Sequence, residues 1–94
     1  MDQIKKHIRI SGRVQGVGFR HFTRTNAQSL GVKGWVKNLT DGDVEAVLSG
    51  DEDSVLKMIE KLKQGPRMAR VDEFSMDESS RKLEESFDGF EVRH

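Results

Sequence analysis

The chain has no cysteine among its 94 residues. That excludes a disulfide framework, a thiol nucleophile and any cysteine-based zinc or iron–sulfur site. It also lacks any apolar run near the roughly 20 residues of a membrane-spanning helix. Its first residues, Met1-Asp2-Gln3-Ile4-Lys5-Lys6, are not the apolar stretch of a secretory leader. These absences point to a cytoplasmic protein with no membrane partner. Acidic side chains are missing from one long stretch, because none lies between Asp2 and Asp41. The chain is short enough that one core fits and a two-domain cleft does not, so residues 1–94 are expected to form a single domain.

Basic residues fill the acid-free stretch: Lys5, Lys6, Arg9, Arg13, Arg20, Arg24, Lys33 and Lys37. Eight bases against one acid give residues 1–40 a charge of +7, and fifteen acids against eight bases give residues 41–94 a charge of −7. Such asymmetry marks either an anion-handling half or two solvated surfaces of opposite sign. Apolar residues are 34% of the chain, which is low but not depleted enough for disorder once the patterning below is considered.

Residues Lys6 to Val14 alternate, with Ile8, Ile10 and Val14 on one side and His7, Arg9 and Arg13 on the other. That is a half-buried strand. A glycine-rich turn follows, Gln15-Gly16-Val17-Gly18. From about Arg20 to Leu30 the period becomes helical, with Phe22, Ala27 and Leu30 on one face and Gly31 as the stop. Lys33–Lys37 and Val44–Leu48 read as a hairpin about the turn Thr40-Asp41-Gly42-Asp43. Asp51, Asp53 or Ser54 is placed to cap a second helix with the stripe Val55, Met58, Ile59 and Leu62, ended by Gly65-Pro66. A fourth strand spans Val71 to Met76, with Phe74 and Met76 on one face. A polar connector covers Asp77–Ser86, and Phe90 and Val92 mark a short last strand.

The order βαββαβ predicts an α+β sandwich of the ferredoxin-like kind, two helices on one face of a mostly antiparallel sheet, plus a short C-terminal strand. Right-handed crossovers place the first four strands in the order 4-1-3-2. The turn at Gln15–Arg20 then lies near Asn38 at the end of the second strand, two strand spacings or about 10 Å away. The connector is long enough for the last strand to pair parallel to the second. His94 and the terminal carboxylate would then approach the same end.

Arg20 stands near the first turn of a helix, where a cation opposes the helix dipole by roughly 0.3–1 kcal/mol. With Gly16 and Gly18 exposing backbone N–H groups and no acid nearby, two readings stand. One is a trap for a phosphate-like anion; the other is a tight turn carrying a surface arginine. Asn38 is either an ordinary turn residue or an amide that orients a water or a substrate oxygen facing Arg20. Asn38-Leu39-Thr40 also matches the glycosylation pattern, which has little force without a leader. His7, His21 and His94 lack metal-ligand spacing, and no carboxylate is near the first two in sequence. No Ser-His-Asp set is readable, and the G-K-[ST] ending of a Walker loop is absent. Gly18-Phe19-Arg20-His21-Phe22 falls in a turn and helix rather than on a central strand, so nucleic-acid binding is not expected.

Ser11-Gly12-Arg13-Val14-Gln15-Gly16-Val17-Gly18-Phe19-Arg20, then Gly34-Trp35-Val36-Lys37-Asn38 and Asp41-Gly42-Asp43-Val44-Glu45, closely resemble the acylphosphatases. The resemblance extends over essentially the whole chain. It implies a small cytosolic enzyme, expected as a monomer, that hydrolyses the carboxyl–phosphate bond of acyl phosphates without metal or cofactor. It makes Arg20 the phosphate-binding arginine and Asn38 the residue holding the attacking water. Gln15, Gly16, Val17, Gly18 and Phe19 become the substrate cradle. Gly18 stands where some members have a bulky residue, which implies a looser cradle. Inorganic phosphate or sulfate is expected as a competitive ligand. Two other readings are a non-catalytic phosphate-binding module and an accessory domain of a larger carbamoyl-transfer protein; the length of 94 residues speaks against the second.

Overall fold

The computed structural model describes residues 2–77 and 80–94. Met1, Glu78 and Ser79 lie outside the described residues, so the connector expected over 77–86 is seen only on either side of them. The elements are β1 (Gln3–Arg13), α1 (Phe19–Leu30), β2 (Lys33–Asn38), β3 (Val44–Asp51), α2 (Glu52–Gln64), β4 (Arg70–Met76) and β5 (Phe90–Arg93), with a 3-10 turn at Arg81–Glu84 before β5. Among the described residues the strands form one sheet in the order β4-β1-β3-β2-β5. β1 pairs antiparallel with β3 and β4, and β2 antiparallel with β3. β5 runs parallel to β2, with Gly34 opposite Phe90 and Lys37 opposite Arg93. Both helices contribute to the core on one face of the sheet: Ile8, Ile10, Val36, Val44, Ala46 and Leu48 meet Phe19 and Ala27 of α1 and Val55, Met58, Ile59 and Leu62 of α2. Each Ile, Val, Leu, Met or Phe side chain of this set removed from water contributes about 1.5–3 kcal/mol. No described helix is long and apolar enough to cross a membrane.

β1 and β3 are longer than their apolar alternation predicts, because their polar ends still pair, down to Gln3 opposite Asp51. α1 begins at Phe19 rather than Arg20, and its buried face is Phe19, Thr23 and Ala27, with Phe22 and Leu30 only half-buried. The shift of face has a simple cause. Thr23 Oγ1 donates to the Phe19 carbonyl at 2.7 Å, so its hydroxyl can enter the core satisfied. α2 buries the expected stripe. Its N-cap is Asp51, but that carboxylate makes no capping bond and instead accepts from Gln3 Nε2. In β4, Phe74 and Met76 keep one face, opposite Ile10 and Ile8, although Met76 at the strand end is 46% exposed; Val71, three residues before Phe74, packs on the same core. The register slips there, from Ser11 opposite Glu73 to Gly12 opposite Val71, and this bulge reverses the alternation.

The second face of the sheet carries Trp35, Glu45 and Val47, all buried. Lys5 Nζ donates to the Glu85 carbonyl at 2.6 Å, which brings the connector against that face. His7, with no carboxylate near it in sequence, meets Glu45 across the β1–β3 pair at 2.6 Å. The Arg93 guanidinium of β5 lies 4.8 Å from the Trp35 ring centre and clamps β5 to β2, while Lys37 Nζ, on β2 itself, lies 5.6 Å from the same ring.

Candidate active site

β1 and β2 run the same way with β3 between them, so the loop after β1 and the end of β2 open at one end of the sheet. Gly16 and Gly18 take φ of 74° and 78°, a left-handed conformation that glycine adopts without strain. Gly18 is the N-cap of α1, and its carbonyl accepts from the Phe22 N–H at 2.9 Å. Among the described residues no side chain caps this helix, and no acid lies in its first turn. The N–H groups of Phe19, Arg20 and His21 are therefore the unpaired donors of a helix start, at the positive end of the dipole. Phe19 is 2% exposed and fastens this turn to the core.

A pocket of about 360 Å³ opens beside the loop. Its wall includes Gly16, Gly18, Phe19 and Arg20 from the loop and helix, Asn38 from β2, and Val92 and His94 from the C-terminal segment. His21 and Arg24 complete the basic side, and among the described residues no carboxylate side chain lines the pocket. Arg20 is half-buried and donates from an Nη to His94 Nδ1 at 2.9 Å. Asn38 is half-buried, and its Oδ1 is buried with no hydrogen-bond partner among the described residues. A buried acceptor left open is unusual in a folded protein, and here it belongs to a residue of the pocket wall.

Five of the seven residues singled out in the sequence therefore share the pocket: Arg20, Asn38, Gly16, Gly18 and Phe19. Gln15 and Val17 do not line it. Val17 packs against the core. The Gln15 amide turns the other way and donates from Nε2 to the carbonyls of Leu39 and Asp43, each at 2.8 Å. Those carbonyls belong to the β2–β3 turn, where Leu39 N–H also donates to the Asp43 carbonyl at 2.8 Å. Gln15 thus ties the glycine loop to the strand end that holds Asn38. Arg9 braces the same turn, donating from Nε to Asp43 Oδ2 at 2.7 Å and pairing with Asp41. The Arg9 hydrogen bond holds the Asp43 carboxyl below its usual range, against a smaller opposing effect of burial. The Asp43 hydrogen bond in turn raises the Arg9 guanidinium above its usual value.

His21 and Arg24 were not singled out by sequence. The available signal is the i, i+4 spacing of Arg20 and Arg24, which places them on one helix face. His94 reaches the pocket because β5 continues the sheet beyond β2. One step past the Lys37–Arg93 pair, it comes level with Asn38.

Comparison with known proteins gives a consistent answer. Residues 6–92 match the family model for acylphosphatase. An acylphosphatase of Acaryochloris marina is 56% identical over 71 residues, covering 76% of each chain. One from Paraburkholderia xenovorans is 49% identical over 85 residues, covering 90% of this chain and 86% of the other. The solved structure of an acylphosphatase from Coxiella burnetii superposes with a TM-score of 0.88 at 40% identity, covering 98% of this chain and 94% of the other.

Proposed function

The chain belongs to the acylphosphatase family and hydrolyses the carboxyl–phosphate bond of acyl phosphates, and we propose that it does so by direct attack of water on phosphorus, with Arg20 holding the phosphate and Asn38 positioning the water. The observation that carries this reading is the meeting of Arg20 and the open Asn38 acceptor in one pocket, beside the uncapped start of α1.

In this reading the phosphate sits on the uncapped start of α1, against the backbone N–H groups that follow Gly18 and under the Arg20 fork. Asn38 Oδ1 accepts one O–H of a water and turns a lone pair of that water toward phosphorus. The water oxygen bonds to phosphorus as the bond to the acyl oxygen breaks, and the carboxylate leaves with the bonding electron pair. Its conjugate acid has a pKa of about 4–5, as for Asp and Glu, so no general acid is required. The transferring phosphoryl passes through a loose transition state, in which positioning and charge stabilisation dominate. A phosphate oxygen of the substrate takes the proton of the water, which leaves a carboxylate and inorganic phosphate. Phosphate and sulfate keep the contacts to Arg20 and the loop and so compete with substrate. Arg20 and Asn38 come from one chain, which supports a monomer as the working unit. The cysteine-free sequence is compatible with the cytoplasm.

The test is hydrolysis of benzoyl phosphate by the purified chain in ¹⁸O-labelled water. Attack on phosphorus puts the label in inorganic phosphate. Label in benzoate would mean attack on the carbonyl carbon, and the roles given to Arg20 and Asn38 would then fall.

A further inference from the structure

Arg24 has no part in the reaction as described, yet it lines the pocket. It lies one helical turn beyond Arg20 on the same face of α1, a rise of about 6 Å. It is exposed, and among the described residues no carboxylate pairs with it, whereas Arg9, Arg70 and Arg93 each have an acidic partner. His21, three residues before it, adds an imidazole to the same wall.

We propose that Arg24 makes the site selective for acyl phosphates whose acyl part carries a second anionic group, which Arg24 binds. The inference rests on the acyl-phosphate reading of the site. With the phosphate fixed at Arg20, an acyl group leaving the cradle along α1 meets Arg24 about one turn away. That interval matches a chain of four or five bonds of about 1.5 Å each. A carboxylate at that distance meets a guanidinium fork whose geometry suits it. A neutral acyl group gains nothing there, and the arginine stays hydrated.

The probes are benzoyl phosphate and 3-carboxybenzoyl phosphate, which share the reacting bond and differ by one carboxylate on a rigid ring. The expected kcat/KM is about tenfold higher for the carboxylated compound, gained in KM, the size of one charge-assisted hydrogen-bond pair. In Arg24→Gln the ratio between the two substrates should fall close to one, and Arg24→Lys should restore part of it. The ratio should also shrink as ionic strength rises, because the pair is exposed. An identical ratio in the wild type and Arg24→Gln would overturn the proposal, as would turnover of benzoyl phosphate with no preference between the two. Turnover of neither compound by the wild type would instead remove the acyl-phosphate reading itself.

Discussion

Arg20 occupies a position where helices ordinarily place an acid, and the roughly 0.3–1 kcal/mol that this costs is offset when an anion sits on the same turn. The local rule is broken at the proposed phosphate site, and that break is why the residue was singled out in the sequence. Arg20→Ala is expected to lower kcat/KM by three or more orders of magnitude, about 4 kcal/mol, and Arg20→Lys should not restore it, because a point charge cannot reproduce the fork. Steady-state kinetics on benzoyl phosphate checks both, and a fully active alanine variant would return Arg20 to a surface role. Asn38 was legible for a different reason, as the polar end of a strand facing an arginine. Gln15 was singled out as part of the substrate loop, but its tie to the β2–β3 turn was not legible, since its partners, the Leu39 and Asp43 carbonyls, are 24 and 28 residues away in the chain. Gln15→Ala should therefore act on position rather than on binding. Losing two hydrogen bonds should lower stability by about 1–3 kcal/mol in urea unfolding, and kcat should fall about tenfold as the loop and Asn38 drift apart. Unchanged kcat would mean that the loop holds its place without the tie.

At the scale of elements, the sequence pattern identified both α-helices and the five strands of the described residues but not the 3-10 turn at Arg81–Glu84, and its faces failed where a local hydrogen bond or a bulge altered them. α1 turned its face because Thr23 satisfies its own hydroxyl, and β4 changed phase at the slip between Ser11 and Gly12. The close approach of β2 to β3 was invisible in sequence. A Cβ at Gly34 would lie 1.8 Å from the Val47 carbonyl oxygen, at a φ of 136° that side chains rarely adopt. Gly34→Ala is expected to destabilise the fold by about 3 kcal/mol, or roughly 12–24 °C in Tm. An unchanged Tm would show that the two strands can part locally at no cost. The β2–β3 turn gives a pH-dependent prediction. Asp43 has its pKa lowered in the folded state, chiefly by the Arg9 hydrogen bond. Its contribution is therefore present above the ordinary value of 3.8 and is lost as pH falls below it. Unfolding followed across pH 2–7 (about the range in which carboxylates titrate) should show stability dropping at the acid end, and Asp43→Asn should flatten part of that drop. A variant with the same acid profile as the parent would mean that the turn does not depend on the pair.

At the scale of the molecule, sheet order is what makes a site. Two segments separated by most of α1 and β2 meet because β1 and β2 point the same way on either side of β3. β5 then closes the β2 edge and carries Val92 and His94 to the pocket. The opposite charges of the two halves are visible in sequence, and the +7 half supplies both arginines of the pocket wall, Arg20 and Arg24. The connector resisted reading because its residues are polar and aperiodic, and its contact with the sheet rests on tertiary partners such as Lys5 and Glu85. The central claim is a division of labour between the two ends of this arrangement, one binding phosphate and the other placing water. Asn38→Ala tests it most directly, with kcat and the inhibition constant for inorganic phosphate measured on the same preparation. Loss of kcat by about two or more orders of magnitude with phosphate inhibition unchanged is the expected result. Near-normal kcat with phosphate binding lost would contradict the assignment.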